Sequence, residues 1–495
     1  MNHSVEHAQG LLSDAATWQG KIYNGTWCAG GLGKHPVLDK ATAEPCWSVG
    51  FANAEDVEQS AGIAQRAQRS WAQLPAPLRG DILRRLSELV LEHREEIAWL
   101  IVRETGSIQG KADWEVQMTA REILEGAALC SQPSGILTAT AEPGRQSIAR
   151  RIPLGVVGII TPWNSPLLLG ARAIAPALAM GNAVLLKPDQ QTPICGGVVF
   201  ARLLELAGLP QGLFHVLPGP GETGAAVVGN PRVEMISFTG STRTGREIGR
   251  VAGGMLKRVA LELGGNNPFI VLDDADIDLA ARAGAWGSFF HQGQICMSTG
   301  RHLVHARALD AYVDALIARS QGLRVGNPAE DDVQLGPMIN ETQAANVERL
   351  IAESLAMGAT LRSGGTRSGL YFQPTVVTGV KPGMPLFEEE IFGPVAAITE
   401  FQGDDEAIEL ANLGEYGLSA AVVSPNLARA QRVADRLQAG IVHINDQTLL
   451  HEVFGPIGGV GASGNGANYS TLTNADQFSE WQWLTVRAEL PMYPF

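Results

Sequence analysis

Cysteine is scarce and unpatterned in this chain of 495 residues: Cys28, Cys46, Cys130, Cys195 and Cys296 are odd in number and never spaced as Cys-x-x-Cys. That argues against a disulfide framework and a zinc ribbon and points to reduced thiols in a reducing compartment. No run of about 18 apolar residues occurs, so no segment reads as a membrane span. Residues 1–7 lack the charged-then-apolar pattern of a leader, and a cytoplasmic protein is expected. Positive charge is in deficit: 37 Lys and Arg against 51 Asp and Glu give a formal net charge of −14. Such a surface repels nucleic-acid phosphates and anionic headgroups, so neither nucleic acid nor membrane is an expected partner. Internal repeats, linker tracts and low-complexity segments are also missing.

What is present is an α/β pattern. At about 100 to 200 residues per domain the length accommodates two to four domains. A composition of 45% hydrophobic and 18% charged residues, with 57 glycines, fits a globular chain with many tight turns. Between 150 and 275, short apolar runs (155–160, 183–186, 234–238, 269–272) alternate with amphipathic stretches (167–180, 194–206, 242–251). This is the signature of βαβ units around a parallel sheet. Upstream, 60–71 and 78–100 carry an apolar period near 3.6 and read as helices. A second α/β set follows Cys296, with helices predicted over 309–321, 341–357 and 404–413 and strands over 420–423 and 440–444. Segments 134–152 and 480–495 belong to neither pattern.

One cysteine stands apart. Cys296 lies in Gly293-Gln294-Ile295-Cys296-Met297-Ser298-Thr299-Gly300-Arg301, among small and polar residues, and an isolated Glu262 precedes it in Leu261-Glu262-Leu263-Gly264-Gly265-Asn266-Asn267. A thiolate attacks a carbonyl and a carboxylate activates the water that releases the product, so the two make an acyl-transfer pair. Alone, a single cysteine is more often a small buried hydrophobe. Gly240-Ser241-Thr242-Arg243-Thr244-Gly245 ends a predicted strand and opens a helix, where free N–H groups and the helix dipole favour an anion such as a pyrophosphate. It is neither Gly-x-Gly-x-x-Gly nor a Walker loop, and alone it reads as readily as a tight turn. His302 and His305 are near Cys296 in sequence, but three-residue spacing on a strand puts them on opposite faces, and no metal site is expected.

These segments, with Thr161-Pro162-Trp163-Asn164, Leu186-Lys187-Pro188 and Glu389-Glu390-Ile391-Phe392-Gly393-Pro394, follow one order along the chain; together they resemble the aldehyde dehydrogenase superfamily from about residue 20 to the C-terminus. The resemblance implies that family's α/β fold: a Rossmann-like parallel-sheet NAD(P)-binding domain over 1–133 and 153–264, and an α/β catalytic domain over 265–464. A small β arm and tail, 134–152 plus 465–495, would build a homodimer or homotetramer. Cys296 becomes the nucleophile, Asn164 and the Cys296 N–H the donors to the oxyanion, and Glu262 the base that hydrolyses a thioester to the free acid. Cofactor contacts carry over to Ile160, Thr161, Pro162, Trp163, Lys187, Gln190, Gly240, Ser241, Gly245, Leu263, Glu390 and Phe392. Where the family commonly has a glutamate three residues after its lysine, this chain has Gln190. The neutral amide forfeits repulsion of a 2′-phosphate, so NAD preferred with NADP also usable is expected. Glu480 matches a position credited with relaying protons through a lysine, but the lysine position is Ala173.

Finer details, among them Phe290-His291-Gln292, Val442-His443-Ile444-Asn445 and the terminal Tyr493-Pro494-Phe495, resemble the aromatic-aldehyde branch, the bacterial benzaldehyde dehydrogenases. The implied substrate tunnel is walled by Met118, Ser165, Leu168, Ile295, Met297 and Phe454. Ser165 stands where the family often has Phe, and Ile457 replaces the Phe of Pro-Phe-Gly-Gly, so a widened pocket is expected. The same chemistry on an aliphatic aldehyde or semialdehyde is the alternative; a semialdehyde needs a cation in the tunnel, for which Arg172 is the nearby candidate. A non-catalytic binding protein of this fold is a third reading, opposed by the presence of Cys296, Glu262, Asn164 and Lys187 together.

Overall fold

Runs of Val, Ile and Leu buried on both faces form the parallel strands Val156–Ile160, Ala183–Lys187, Phe214–Val216, Val233–Thr239 and Arg258–Glu262, the pattern of a sheet covered by helices on both sides. This computed structural model describes residues 10–495; the reading of 1–7 as lacking a leader lies outside them. Val156–Ile160 is central in the sheet, between Val233–Thr239 and Ala183–Lys187, and a hairpin of Lys21–Tyr23 and Trp27–Ala29 closes the far edge antiparallel. Strand order thus reverses at Val156–Ile160, and a crevice opens at the C-terminal ends beside it.

A second seven-stranded sheet runs in the order Thr360–Ser363, Thr375–Thr378, Val395–Phe401, Thr299–His305, Asn267–Val271, Ser419–Val423 and Ile441–Ile444, parallel except for its first pair. Residues 263–266 alone join the first sheet, at Arg258–Glu262, to the second, at Asn267–Val271. The C-terminal ends of the first set of strands therefore meet the loops that enter the second set. Gly135–Leu137, Gln146–Pro153 and Ser479–Val486 form a separate antiparallel arm, paired from Ser479 with Pro153 to Val486 with Gln146. The tail read with this arm divides: Ala467, Tyr469 and Phe478 pack into the core of the first unit. Among the described residues, no helix is long and apolar enough to cross a membrane.

Two helical segments depart from the sequence reading. The stretch 78–100 is two helices, Ala76–Glu92 and Arg94–Thr105, broken at His93 (φ −100°, ψ 17°); the apolar period continues across the corner and hides it. Gln109–Ala128 went unread because its buried face carries Lys111, Glu115, Thr119 and Glu122 among the apolar residues, which blurs the stripe.

That polar face organises the site. The Lys111 and Glu115 side chains are wholly buried and paired one turn apart. Lys111 Nζ also donates to the Asn164 carbonyl at 2.8 Å, while Glu115 Oε1 accepts the N–H groups of Leu167 (2.9 Å) and Leu168 (3.3 Å). These belong to the first turn of the Pro166–Ala179 helix, whose N-cap Ser165 supplies no side-chain cap; the carboxylate does that work from another helix. Removing one partner of a buried ion pair strands the other charge at a cost of about 3–5 kcal/mol, whereas replacing both by apolar groups costs far less. Glu115→Leu and Lys111→Met should each lower the urea midpoint strongly, and the double variant should recover part of the loss. Singles that unfold at the wild-type midpoint would contradict this role.

Candidate active site

Three successive residues with left-handed backbone, His291 (φ 50°), Gln292 (φ 57°) and Gly293 (φ 67°), turn the chain into the Cys296 loop. The two non-glycines store about 1–3 kcal/mol each, tolerated only where the surroundings hold them. Gln292 Nε2 donates to the carbonyls of Gly106 (3.0 Å) and Pro337 (2.7 Å), and Gln294 Oε1 accepts from Ile339 N (3.0 Å). Asn267 Nδ2 donates to the Cys296 carbonyl at 2.9 Å, and among the described residues the Cys296 N–H has no acceptor. Asn164, on the loop leading to the Pro166–Ala179 helix, donates one Nδ2 hydrogen to the Gln294 carbonyl at 2.9 Å. Among the described residues its second amide hydrogen has no acceptor. Cys296 and Asn164 line two adjoining cavities and mark where they meet.

The surroundings are dry, and the titratable groups register it. Burial pushes the Glu262 carboxyl up to about 8, with Arg172 opposing. Its Oε1 is buried without a partner. Burial pushes the Cys296 thiol up to about 12; Glu390 and Glu262 add repulsion, and Arg172 opposes them. Glu390, which accepts Gly265 N at 3.0 Å, is raised to about 7 by burial. A site that holds two carboxyls and a thiol near their neutral forms is suited to proton transfer rather than to fixed charge.

On one side lies a pair of clefts. The inner, about 310 Å³, is lined by Pro162, Trp163, Gly240, Leu263, Glu390 and Phe392 together with Asn164 and Cys296. The outer, about 590 Å³, takes in Ile160, Thr161, Lys187, Gly240 and Ser241. Ser241 Oγ accepts Thr244 N at the head of the Thr242–Gly254 helix, Lys187 ends its strand 8% exposed, and Thr161 Oγ1 is buried without a partner. Unpaired donors, a lysine and a helix N-terminus suit a dinucleotide phosphate and ribose. Two expected contacts fall elsewhere. Gly245 lines neither cleft; a Cβ there would lie 2.4 Å from Leu263, so its role is to let helix and loop pack together. Gln190 is exposed and off the lining, because the chain turns after Asp189, which occupies the wall near Lys187 and accepts Gln191 N at 2.9 Å.

On the other side, a cavity of about 400 Å³ ends on Cys296 and Glu262. Ser165, Leu168, Ile295 and Met297 line it as expected, and Ile457 joins them where bulk was predicted to be missing. Met118 and Phe454 do not line it. Met118 is buried one turn beyond Trp114 on the same helix, and Trp114 takes that wall; Phe454 is 58% exposed. Of the rings found there, Trp114 and Trp286 went unread because each sits in a helix where an aromatic residue reads as packing, and Phe290, whose segment carried part of the family resemblance, was not assigned to the tunnel. Trp286 and Phe290 stack with centroids 4.3 Å apart. Arg172 and His451 are among the polar residues of the wall, with Asn164, Ser165, Thr239, Glu262 and Gln447. His302 bonds Ser288 and Tyr312, and His305 accepts Arg307 N, so each ring has its own partner. Glu480 is exposed on the arm and lines none of these cavities.

Residues 27–484 match the model of the aldehyde dehydrogenase family. The chain is 47% identical to a vanillin dehydrogenase of an Amycolatopsis species, over 97% of this chain and 99% of the relative. It is 46% identical to the NAD(+) benzaldehyde dehydrogenase of Pseudomonas putida, over 97% and 98%. Among solved structures, a betaine aldehyde dehydrogenase from Staphylococcus aureus in complex with NAD+ superposes with a TM-score of 0.93 at 33% identity, covering 99% of both chains. A family model that spans most of the chain and relatives at 46% and 47% identity over nearly its whole length show that this chain belongs to the aldehyde dehydrogenase family.

Proposed function

We propose that the protein oxidises an aromatic aldehyde to the free carboxylic acid with NAD as the hydride acceptor. The observation that carries this reading is the aromatic-walled cavity of about 400 Å³ whose floor is Cys296 and Glu262. The names of its relatives, vanillin and benzaldehyde dehydrogenase, support it. NAD in the two clefts would take hydride from the aldehyde carbon, held by Lys187, Thr161 and the Ser241 turn on one side and by Glu390, Phe392 and Trp163 on the other.

The chain's own groups supply the rest. Cys296 Sγ bonds the aldehyde carbon as its proton passes to solvent, and the oxyanion falls to the free Asn164 amide hydrogen and the Cys296 N–H. Once the thioester stands on Cys296, Glu262 draws a proton from water and the acid leaves. The arm, with Ile136, Leu137, Trp481 and Trp483 exposed on its strands, is the proposed contact for a homodimer or homotetramer.

NADH absorbance with benzaldehyde against an aliphatic aldehyde tests the substrate class; a clear preference for the aliphatic compound would overturn it. Cys296→Ala should lower turnover by about 10⁴-fold or more while leaving NAD binding near wild type. Glu262 is a base only when ionised, so with its carboxyl raised to about 8 activity should fall as pH drops below that value. Glu262→Gln should release one equivalent of NADH per site and then stall, without that pH limb; sustained wild-type turnover would remove Glu262 from the mechanism.

The cofactor preference is assigned to Asp189 in place of Gln190. Its carboxylate, on the wall of the outer cleft, opposes a 2′-phosphate carrying about −1.5 to −2 charge. Asp189→Asn should raise kcat/KM for NADP relative to NAD by about tenfold, and Gln190→Glu should leave the ratio within about twofold. The reverse pattern would restore Gln190 as the discriminating residue.

A further inference from the structure

One group in the substrate cavity is left unused by the chemistry above. Arg172 is 6% exposed and lines the cavity, yet among the described residues its guanidinium makes a single hydrogen bond, from Nη2 to His451 Nδ1 at 3.2 Å. Nε is buried without a partner, with Glu122 Oε1 3.8 Å away, beyond hydrogen-bond reach. Guanidinium has five N–H donors and no acceptor capacity. The bond to His451 therefore defines the imidazole: Nδ1 accepts, and Nε2 carries the proton, 3.4 Å from Glu122 Oε1. The edge of Trp114 packs on the same ring, with centroids 5.9 Å apart. Glu122 Oε1 thus lies within ion-pair distance of both Arg172 Nε and His451 Nε2, and His451 accepts from Arg172.

The remaining titratable groups in the field of Arg172 are Glu262, Cys296 and Tyr469. Burial raises all three, and the Tyr469 hydroxyl is engaged with Ser237 Oγ at 2.7 Å, so near neutral pH none of them competes for the guanidinium. A buried donor without an acceptor is destabilising. Around it the wall is apolar, formed by Trp114, Leu168, Phe290 and Leu449. An apolar slot containing one cation with open donors matches a flat apolar ligand that carries one acceptor oxygen.

We propose that Arg172, positioned by His451 and Glu122, is a specificity residue that binds an acceptor oxygen on the substrate ring, so that the preferred substrate is a hydroxylated benzaldehyde. The inference rests on the aromatic-aldehyde reading and deepens it. Ring hydroxyl and ring methyl are close in size, so the comparison between them isolates the hydrogen bond from the fit.

The test measures kcat/KM of the wild-type holoenzyme for benzaldehyde and for the meta- and para-hydroxy and meta- and para-methyl benzaldehydes, then repeats it with Arg172→Met and Arg172→Lys. A hydrogen bond to a charged group corresponds to a preference of about tenfold or more for the better hydroxy compound over its methyl counterpart. That ratio should fall to about unity in Arg172→Met, chiefly through KM, and recover in part in Arg172→Lys. Calorimetric binding of para-hydroxyacetophenone and para-methylacetophenone to wild type, ketones that have no hydride to give, should show the same preference. That measurement decides the matter even if Arg172→Met does not fold. Equal wild-type affinity for the two ketones, or a variant that loses all substrates in equal proportion, overturns the proposal. Benzaldehyde turnover without a hydroxyl preference sinks this inference alone, whereas activity confined to aliphatic aldehydes sinks the aromatic reading beneath it.

Discussion

The short passage 263–266 between the two sheets is the constraint on which the rest of this structure depends. It leaves the first sheet directly after Glu262, whose carbonyl accepts Gly240 N at 3.0 Å. It enters the second at Asn267, whose side chain donates to the Cys296 and Ser298 carbonyls and accepts Ser419 N at 2.9 Å. Gly265 N reaches Glu390, Asn266 Nδ2 donates to the Phe387 carbonyl at 2.7 Å, and the Asn266 carbonyl accepts Arg301 Nε at 3.0 Å. Glu262, the Cys296 loop and Glu390 are referred to one piece of backbone. The glycines follow from that crowding: a Cβ on Gly264 would lie 2.2 Å from Glu390 Oε2, and one on Gly265 2.7 Å from the Cys296 carbonyl. With so few residues between the sheets, the strand ends have little freedom to drift apart.

The same closeness explains the chemistry of the site. Where two sheets and the Gln109–Ala128 helix converge, burial raises Glu262, Glu390 and Cys296 together. Ionised carboxylates would have been pinned by cations; here Glu262 has an unpaired oxygen and is ready to exchange a proton. The buried pair Lys111–Glu115 holds Asn164 and the first turn of its helix. Structural charge is paired and silent, and reactive groups are unpaired. Arg172, buried with a single bond, fits neither class, which is why it points to a ligand.

Order in sequence and position in space part company at several places. Gly245 and Gln190 belong to segments that reach the cofactor clefts, yet one faces Leu263 and the other solvent, since a turn or helix start sends adjacent side chains in different directions. Met118 and Trp114 are four residues apart on one helix, and only the second reaches the cavity. His93 breaks a helix without disturbing the apolar period on either side.

The amino-acid order alone determined the α/β alternation, because parallel strands buried on both faces must be apolar runs and their covering helices must be amphipathic. It also singled out Cys296, Glu262 and Asn164, because each lies in a local motif, and the fold brings the three to one cavity. Tertiary structure decided which aromatic rings wall the substrate cavity, which carboxylate sits by Lys187, and that Arg172 is held with open donors. Each of these depends on contacts between segments far apart in the chain, such as Arg172 with His451 and Glu122. A polar residue on a buried helix face or a tryptophan in a helix has the same local pattern whether it packs, pairs or lines a cavity, and the neighbour that settles the matter arrives only with the fold.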